Sequence, residues 1–306
     1  MALRIPGGSG LTRRHLLRCW GGLVAGAALG PAMAATQPAR VATLFQGATD
    51  STVALGLRPC GVVESWSEKP VYRYLRPALA GVPSLGLETQ PSLEDLALLA
   101  PDLIIASRFR HGRIAPLLQR LCPVVMLEEV FEFKQTLLAL GTAVGREPAA
   151  TALLHAWQAR IASLRGALQR HYEAQWPPTV AVLDVRADHL RSYLPDSFAG
   201  RVLSELGFAW PAASQGSAAP SIKLTSRESL PVVEADVFFV FLRADQASQR
   251  NYASLIEHPL WQRLSAPRRG QVWRVDGVAW SLGGGILAAN LLLDDIERVL
   301  ASKEAA

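Results

Sequence analysis

Short apolar runs alternate with amphipathic stretches from residue 41 to the end of the chain. Val41-Ala42-Thr43-Leu44-Phe45, Gly61–Glu64, Asp102-Leu103-Ile104-Ile105-Ala106 and Val124–Leu127 predict strands. Between them, Asp50–Leu57, Ser92–Leu99 and Ile114–Leu121 predict helices. The 102–106 run is apolar on both faces, which predicts a parallel sheet covered by helices on both sides.

The second half repeats this grammar. Thr179–Val185 and Val237–Leu242 predict strands, His189–Leu194 a strand that can run antiparallel, and Gln271–Val275 another. Phe198–Leu206 predicts a helix closed by Gly207, Ser226 opens a further helix, and Ile286–Leu300 predicts a terminal one. Between the halves, Leu153, Leu154, Trp157, Ile161, Leu164 and Leu168 recur at spacings of three and four. They predict one helix from Pro148 to about Glu173, stopped by Pro177-Pro178. One regularity favours two similar lobes. Leu93-Glu94-Asp95-Leu96 with Pro101-Asp102-Leu103 recurs 134 residues later as Arg227-Glu228-Ser229-Leu230 with Ala235-Asp236-Val237. The pattern predicts an α/β fold: two Rossmann-like lobes joined by a single long helix. The expected boundaries are 35–147, 148–176 and 177–306.

The first 34 residues follow a different logic. Thr12-Arg13-Arg14-His15-Leu16-Leu17-Arg18 precedes an apolar stretch, Gly21–Leu29, and the small-residue pattern Ala32-Met33-Ala34. This predicts a twin-arginine export signal over 1–34, hence the periplasm. The apolar stretch is too short for a bilayer of roughly 30 Å. The signal holds four arginines and no acid, so the remainder carries 27 basic residues against 26 acidic ones. That balance gives no support for nucleic-acid binding. Cys60 and Cys122 each precede a strand, expected at opposite edges of the first sheet, which predicts two free, buried thiols.

Ligands of open α/β sheets bind beyond the carboxyl ends of strands. Arg108 and Arg110 follow one such end, Arg243 another, and Trp66 a third. Arg191 and Tyr193 share one face of the 189–194 strand. Guanidinium groups suit carboxylate and hydroxamate oxygens because two donors meet two acceptors at once. Trp280, ahead of Gly283-Gly284-Gly285, offers an apolar wall. The histidines are scattered, with neither metal-ligand spacing nor a nucleophile turn. The pattern offers neither a site for a bare metal ion nor a nucleophile for covalent catalysis. Thr225-x-x-Glu228 reads as a capping box, and Glu94 lies in a first helical turn behind Ser92.

From Gln90-Pro91-Ser92-Leu93-Glu94 and Ala100-Pro101-Asp102 through Arg110-His111, Gly200–Gly207, His258-Pro259-Leu260-Trp261 and Val275-Asp276 to Trp280 and Gly285, the chain resembles the periplasmic ferric-siderophore-binding proteins of ABC importers. It most resembles the ferric-citrate and iron(III)-hydroxamate binders. The resemblance implies a ferric siderophore as ligand, so that iron is expected to arrive already wrapped in its chelator, with no covalently bound cofactor; it also implies an inner-membrane ABC permease as partner, a monomer, and no catalysis. It adds Tyr72 to the ligand residues and gives Glu94 and Glu228 a role in docking on the permease. Relatives often carry Arg where this chain has Glu88. Rival readings are a haem or cobalamin binder of the same fold, a twin-arginine-exported oxidoreductase, and an adaptor with an empty cleft.

Overall fold

The computed structural model describes residues 40–216 and 219–304. The export signal expected over 1–34 lies outside the described residues. The first lobe runs β1 (Val41–Thr43), α1 (Gln46–Ala54), β2 (Gly61–Glu64), α2 (Arg76–Leu79), β3 (Ser84–Leu87), β4 (Gln90–Pro91), α3 (Leu93–Leu99), β5 (Leu103–Ser107), α4 (Arg108–His111), α5 (Ala115–Leu118) and β6 (Val124–Leu127). Its sheet has the order β4-β3-β2-β1-β5-β6, parallel except for β4. Two helices follow, α6 (Phe133–Ala143) and α7 (Glu147–Tyr172). The second lobe holds β7 (Val180–Val185), β8 (Leu190–Tyr193), α8 (Phe198–Leu206), β9 (Ser221–Leu224), β10 (Val237–Leu242), α9 (Gln246–Ile256), α10 (Pro259–Arg263), α11 (Ser265–Arg268), β11 (Val272–Arg274) and α12 (Ile286–Glu304). Its sheet is ordered β11-β10-β7-β8-β9, with β8 antiparallel to both neighbours.

The expected α/β fold with two sheets and a long helix is the observed one. The 26 residues of α7 span about 39 Å at 1.5 Å per residue. Trp157, Ile161, Leu164 and Leu168 form its buried stripe. Ser197 caps α8 by accepting from the Gly200 N–H, and Gly207 closes that helix in the left-handed region, at φ +94°.

The repeat seen in sequence is also a repeat of hydrogen bonds. Asp102 precedes β5 and accepts from the Arg40 N–H, just before β1. Asp236 precedes β10 and accepts from the Thr179 N–H, just before β7. In each lobe the aspartate ties the edges of two adjacent parallel strands. The match is looser at Ser226. Residues Arg227–Val233 form a 3-10 helix rather than an α-helix, because Pro231 lies inside it and lacks an N–H. Ser226, not Thr225, is its N-cap, accepting from the Glu228 N–H, so the expected capping box is corrected.

The cysteine placement is corrected too. Cys60 and Cys122 are free, but both are half-buried rather than buried. The β2 strand is interior, with β3 and β4 outside it. Those two strands escaped the sequence reading because they are short and partly exposed.

Asp50 joins the two lobes. This α1 residue is fully buried, and its carboxylate accepts from the Leu287 and Ala288 N–H groups at 2.8 and 2.9 Å, capping α12. The Tyr74 hydroxyl donates to it at 2.8 Å. A Cβ on Gly285 would collide with this carboxylate. One apolar cluster runs from Val41 and Phe45 through Trp157 and Val180 to Leu292, so the lobes share a core.

Burial pushes the Asp50 carboxyl from 3.8 up to about 6, against the pull of its three donors. An acid harder to ionise in the fold than in the unfolded chain takes stability away as pH rises between those two values. The stability of the wild type minus that of Asp50→Asn, from urea unfolding, should therefore fall between pH 4 and 6 and level off above. A difference that is flat with pH would contradict the buried cap.

Candidate functional site

The carboxyl ends of both sheets face one cleft of about 800 Å³. Its volume falls in the ordinary range for small-molecule sites. Five guanidinium groups line it: Arg73, Arg110, Arg186, Arg191 and Arg243.

On the first lobe the wall is built around Glu88, 4% exposed. Its Oε1 accepts from Arg110 Nε at 3.2 Å. Its Oε2 accepts from the Gln46 N–H and from Trp66 Nε1, both at 3.2 Å. Gln46 is the first residue of α1, so the carboxylate occupies that helix's N-terminus. His111 fixes the Glu88 backbone. Its Nδ1 accepts from the Ser107 N–H, which leaves Nε2 to donate to the Glu88 carbonyl at 2.8 Å. Burial lowers the pKa of this imidazole, which keeps it neutral. Burial raises that of Glu88, and the Arg110 charge offsets part of the rise. The Arg110 guanidinium lies 5.3 Å from the Trp66 ring centre and 4.8 Å from that of Phe109.

The second wall is different. Arg186 is paired with Asp184 at 2.7 Å. Arg191 donates through Nη1 to Ser221 Oγ at 2.8 Å, but its buried Nε has no partner. Arg243 is exposed and makes no ion pair among the described residues. Two acids lie on the same wall: Asp245 caps α9 through the Ser248 N–H, which together with the Arg243 charge holds its carboxyl below the usual range, and Asp276 accepts from the Val278 N–H. Tyr193 packs against Phe241 at 5.7 Å and its hydroxyl accepts from Ser281. Arg191 and Arg243 are thus the cleft guanidiniums that make no ion pair among the described residues, with the Asp245 and Asp276 carboxylates on the same wall.

Residues 41–279 match the model of the periplasmic binding protein family. The chain belongs to that family. Its relatives include the achromobactin-binding periplasmic protein of Dickeya dadantii (strain 3937), 60% identical over 94% of this chain and 96% of that one. The Fe(3+) dicitrate-binding periplasmic protein FecB of Escherichia coli (strain K12) is 30% identical, covering 85% of this chain and 82% of FecB. The crystal structure of Staphylococcus aureus SirA complexed with staphyloferrin B superposes with a TM-score of 0.82 at 34% identity. It covers 87% of this chain and 94% of SirA.

In this periplasmic binding protein, Trp66, Arg110, Arg191, Tyr193 and Arg243 come together at the cleft. Arg108 does not. It shares the one-turn helix α4 with Arg110 but turns outward to Glu128 at 3.0 Å. The segment is helical, and a helix turns residues two apart toward different sides. Tyr72 is fully buried behind the wall, its hydroxyl accepting from the Trp66 N–H and donating to the Leu282 carbonyl. Trp280 borders the cleft only from below. It is 1% exposed, packs tilted against Phe239 with ring centres 4.6 Å apart and donates to Asp295 at 2.8 Å, so it is a core residue rather than an open wall. Glu94 and Glu228 are exposed, one per lobe, and neither lines the cleft. Arg186, Gln46, Phe131 and Arg73 were missed by the sequence reading. Arg186 directly follows a predicted strand, so the rule that found Arg243 could have found it.

A guanidinium nitrogen buried without a partner costs stability. Arg191→Met should leave the melting temperature unchanged or raise it by up to a few degrees. A clear fall would mean that Arg191 holds the fold together rather than standing ready for a ligand.

Proposed function

We propose that this chain captures a ferric siderophore of citrate or hydroxamate type in the periplasm and delivers it to an inner-membrane ABC permease. The observation that carries this reading is the wall holding Arg191 and Arg243. Guanidiniums without an ion pair, in a cleft of this size, suit the oxygen-rich anionic surface of a wrapped ferric ion. Among the described residues no group of three or more His, Cys, Asp or Glu is placed to hold a bare metal ion. Iron on this reading is cargo inside its chelator, and the protein binds it without covalent cofactor or catalysis, as a monomer. The achromobactin-binding relative makes ferric achromobactin the first ligand to try. The export signal read over 1–34 supports the periplasm, and no described helix is long and apolar enough to cross a membrane.

Trp66 is 47% exposed at the cleft and reports on its occupation. Ferric achromobactin, ferric citrate and ferric hydroxamates should be titrated while tryptophan fluorescence is followed. At least one intact chelate should quench with a stoichiometric endpoint, and chelator-free Fe³⁺ should not. Saturable binding of bare iron alone would overturn the reading.

Glu94 and Glu228 form the second part of the proposal. Each lies in the first turn of its helix, behind the capping Ser92 or Ser226, where the helix dipole favours an acid. Neither makes an ion pair among the described residues, and like charges at two separate points suit a positively charged permease mouth. Glu94→Arg combined with Glu228→Arg should leave chelate affinity within about twofold, because rim charges steer encounter rather than build the cleft. The same pair should abolish siderophore uptake in cells. Wild-type uptake by the double variant would reduce both residues to helix caps.

A further inference from the structure

The two walls of the cleft differ in how their arginines are used. On the first lobe, Glu88 takes Arg110 at 3.2 Å while nearly out of contact with solvent. Three further donors hold that glutamate in place: the Gln46 N–H and Trp66 Nε1 on its carboxylate, and His111 Nε2 on its carbonyl. The Arg110 guanidinium is itself held near two rings, Trp66 and Phe109. An anionic group approaching Arg110 therefore meets a fixed carboxylate beside it, and the pair presents no net charge. On the facing lobe neither Arg191 nor Arg243 makes an ion pair among the described residues, although Asp245 lies near enough to feel the Arg243 charge, and Arg191 keeps a buried nitrogen unfilled.

We propose that Glu88 is a specificity-determining residue: it consumes the charge of Arg110 inside the protein, so that the anionic groups of the ligand are read by Arg191 and Arg243. The inference rests on the ferric-chelate reading above. It divides recognition in two. The second lobe reads carboxylates. The first lobe offers Trp66, Phe131 and the remaining Arg110 donors to apolar parts and neutral oxygens of the chelate. The glutamate thus also excludes ligands that need an anionic group on the first wall.

The test compares equilibrium binding of ferric citrate and of the cationic ferric desferrioxamine B by fluorescence titration. Wild type, Glu88→Gln, Glu88→Gln with Arg110→Gln, and Arg191→Gln are measured side by side. Wild-type binding of any chelate in the panel reports separately on the proposed function. Releasing Arg110 with Glu88→Gln should shift the affinity ratio toward ferric citrate by about tenfold or more, the worth of one charged hydrogen bond. Adding Arg110→Gln should cancel the gain. A ratio unchanged in Glu88→Gln, or shifted against the anion, would overturn the proposal. Should Glu88→Gln lose its cooperative melt, the neutral double variant decides against Arg191→Gln. The double variant should weaken the anionic chelate less than Arg191→Gln does, by about tenfold. An equal or larger loss in the double variant would show that Arg110 reads the anion, and the proposal would fall.

Discussion

The carboxylate of Asp50 binds the last helix of the chain to the first. It supplies acceptors to the Leu287 and Ala288 N–H groups, which a helix start leaves without partners. Residues 237 positions apart are thereby held at hydrogen-bond distance. The glycines before α12 are part of the same constraint. Gly284 adopts φ +69° and its carbonyl lies so near Gly47 that a Cβ there would clash. Both segments reach the cleft, since Gly47 and Gly284 line it. The cleft floor is therefore set by a junction between lobes, and the shared apolar core and α7 continue that junction.

A floor fixed in this way lets each wall keep its own electrostatics. The first wall is a closed network in which Glu88, Arg110, Trp66 and His111 satisfy one another. The second has guanidinium nitrogen to spare. Buried polar groups are normally paired, and an unpaired one at the end of a strand, facing a cavity, marks a place that a ligand completes. The asymmetry gives the cleft a direction.

Much of this architecture was legible in the chain. Gly61–Glu64, Val124–Leu127, Val237–Leu242 and Phe198–Leu206 were read to the residue, because apolar composition and turn formers agree at both ends. Strands β3, β4 and β9 were not, since they are short and half-exposed and carry no continuous apolar signal. The helix opened by Ser226 took the wrong form, because Pro231 overrode its pattern. At the site, the carboxyl-end rule led to Arg110 and Arg243, which do reach the cleft. It could not separate Arg108 from Arg110, because which one turns inward depends on the one-turn helix α4. Glu88 stood out in sequence only as a departure from relatives. Its part in the wall needs donors from three remote segments, Gln46, Trp66 and Arg110, which the fold alone assembles. Trp280 was legible as an aromatic ahead of the glycines that open α12, but its partner Asp295 lies on that helix.

The central claim is that Glu88 occupies Arg110 on one wall, so that Arg191 and Arg243 on the other take the anionic groups of the ligand. A crystal structure of the mature chain with a bound anionic ferric chelate tests it most directly. The account predicts carboxylate oxygens of the chelate within hydrogen-bond distance of Arg191 and Arg243, with the Glu88–Arg110 pair intact. Carboxylates on Arg110, with Glu88 displaced from it, would contradict the account.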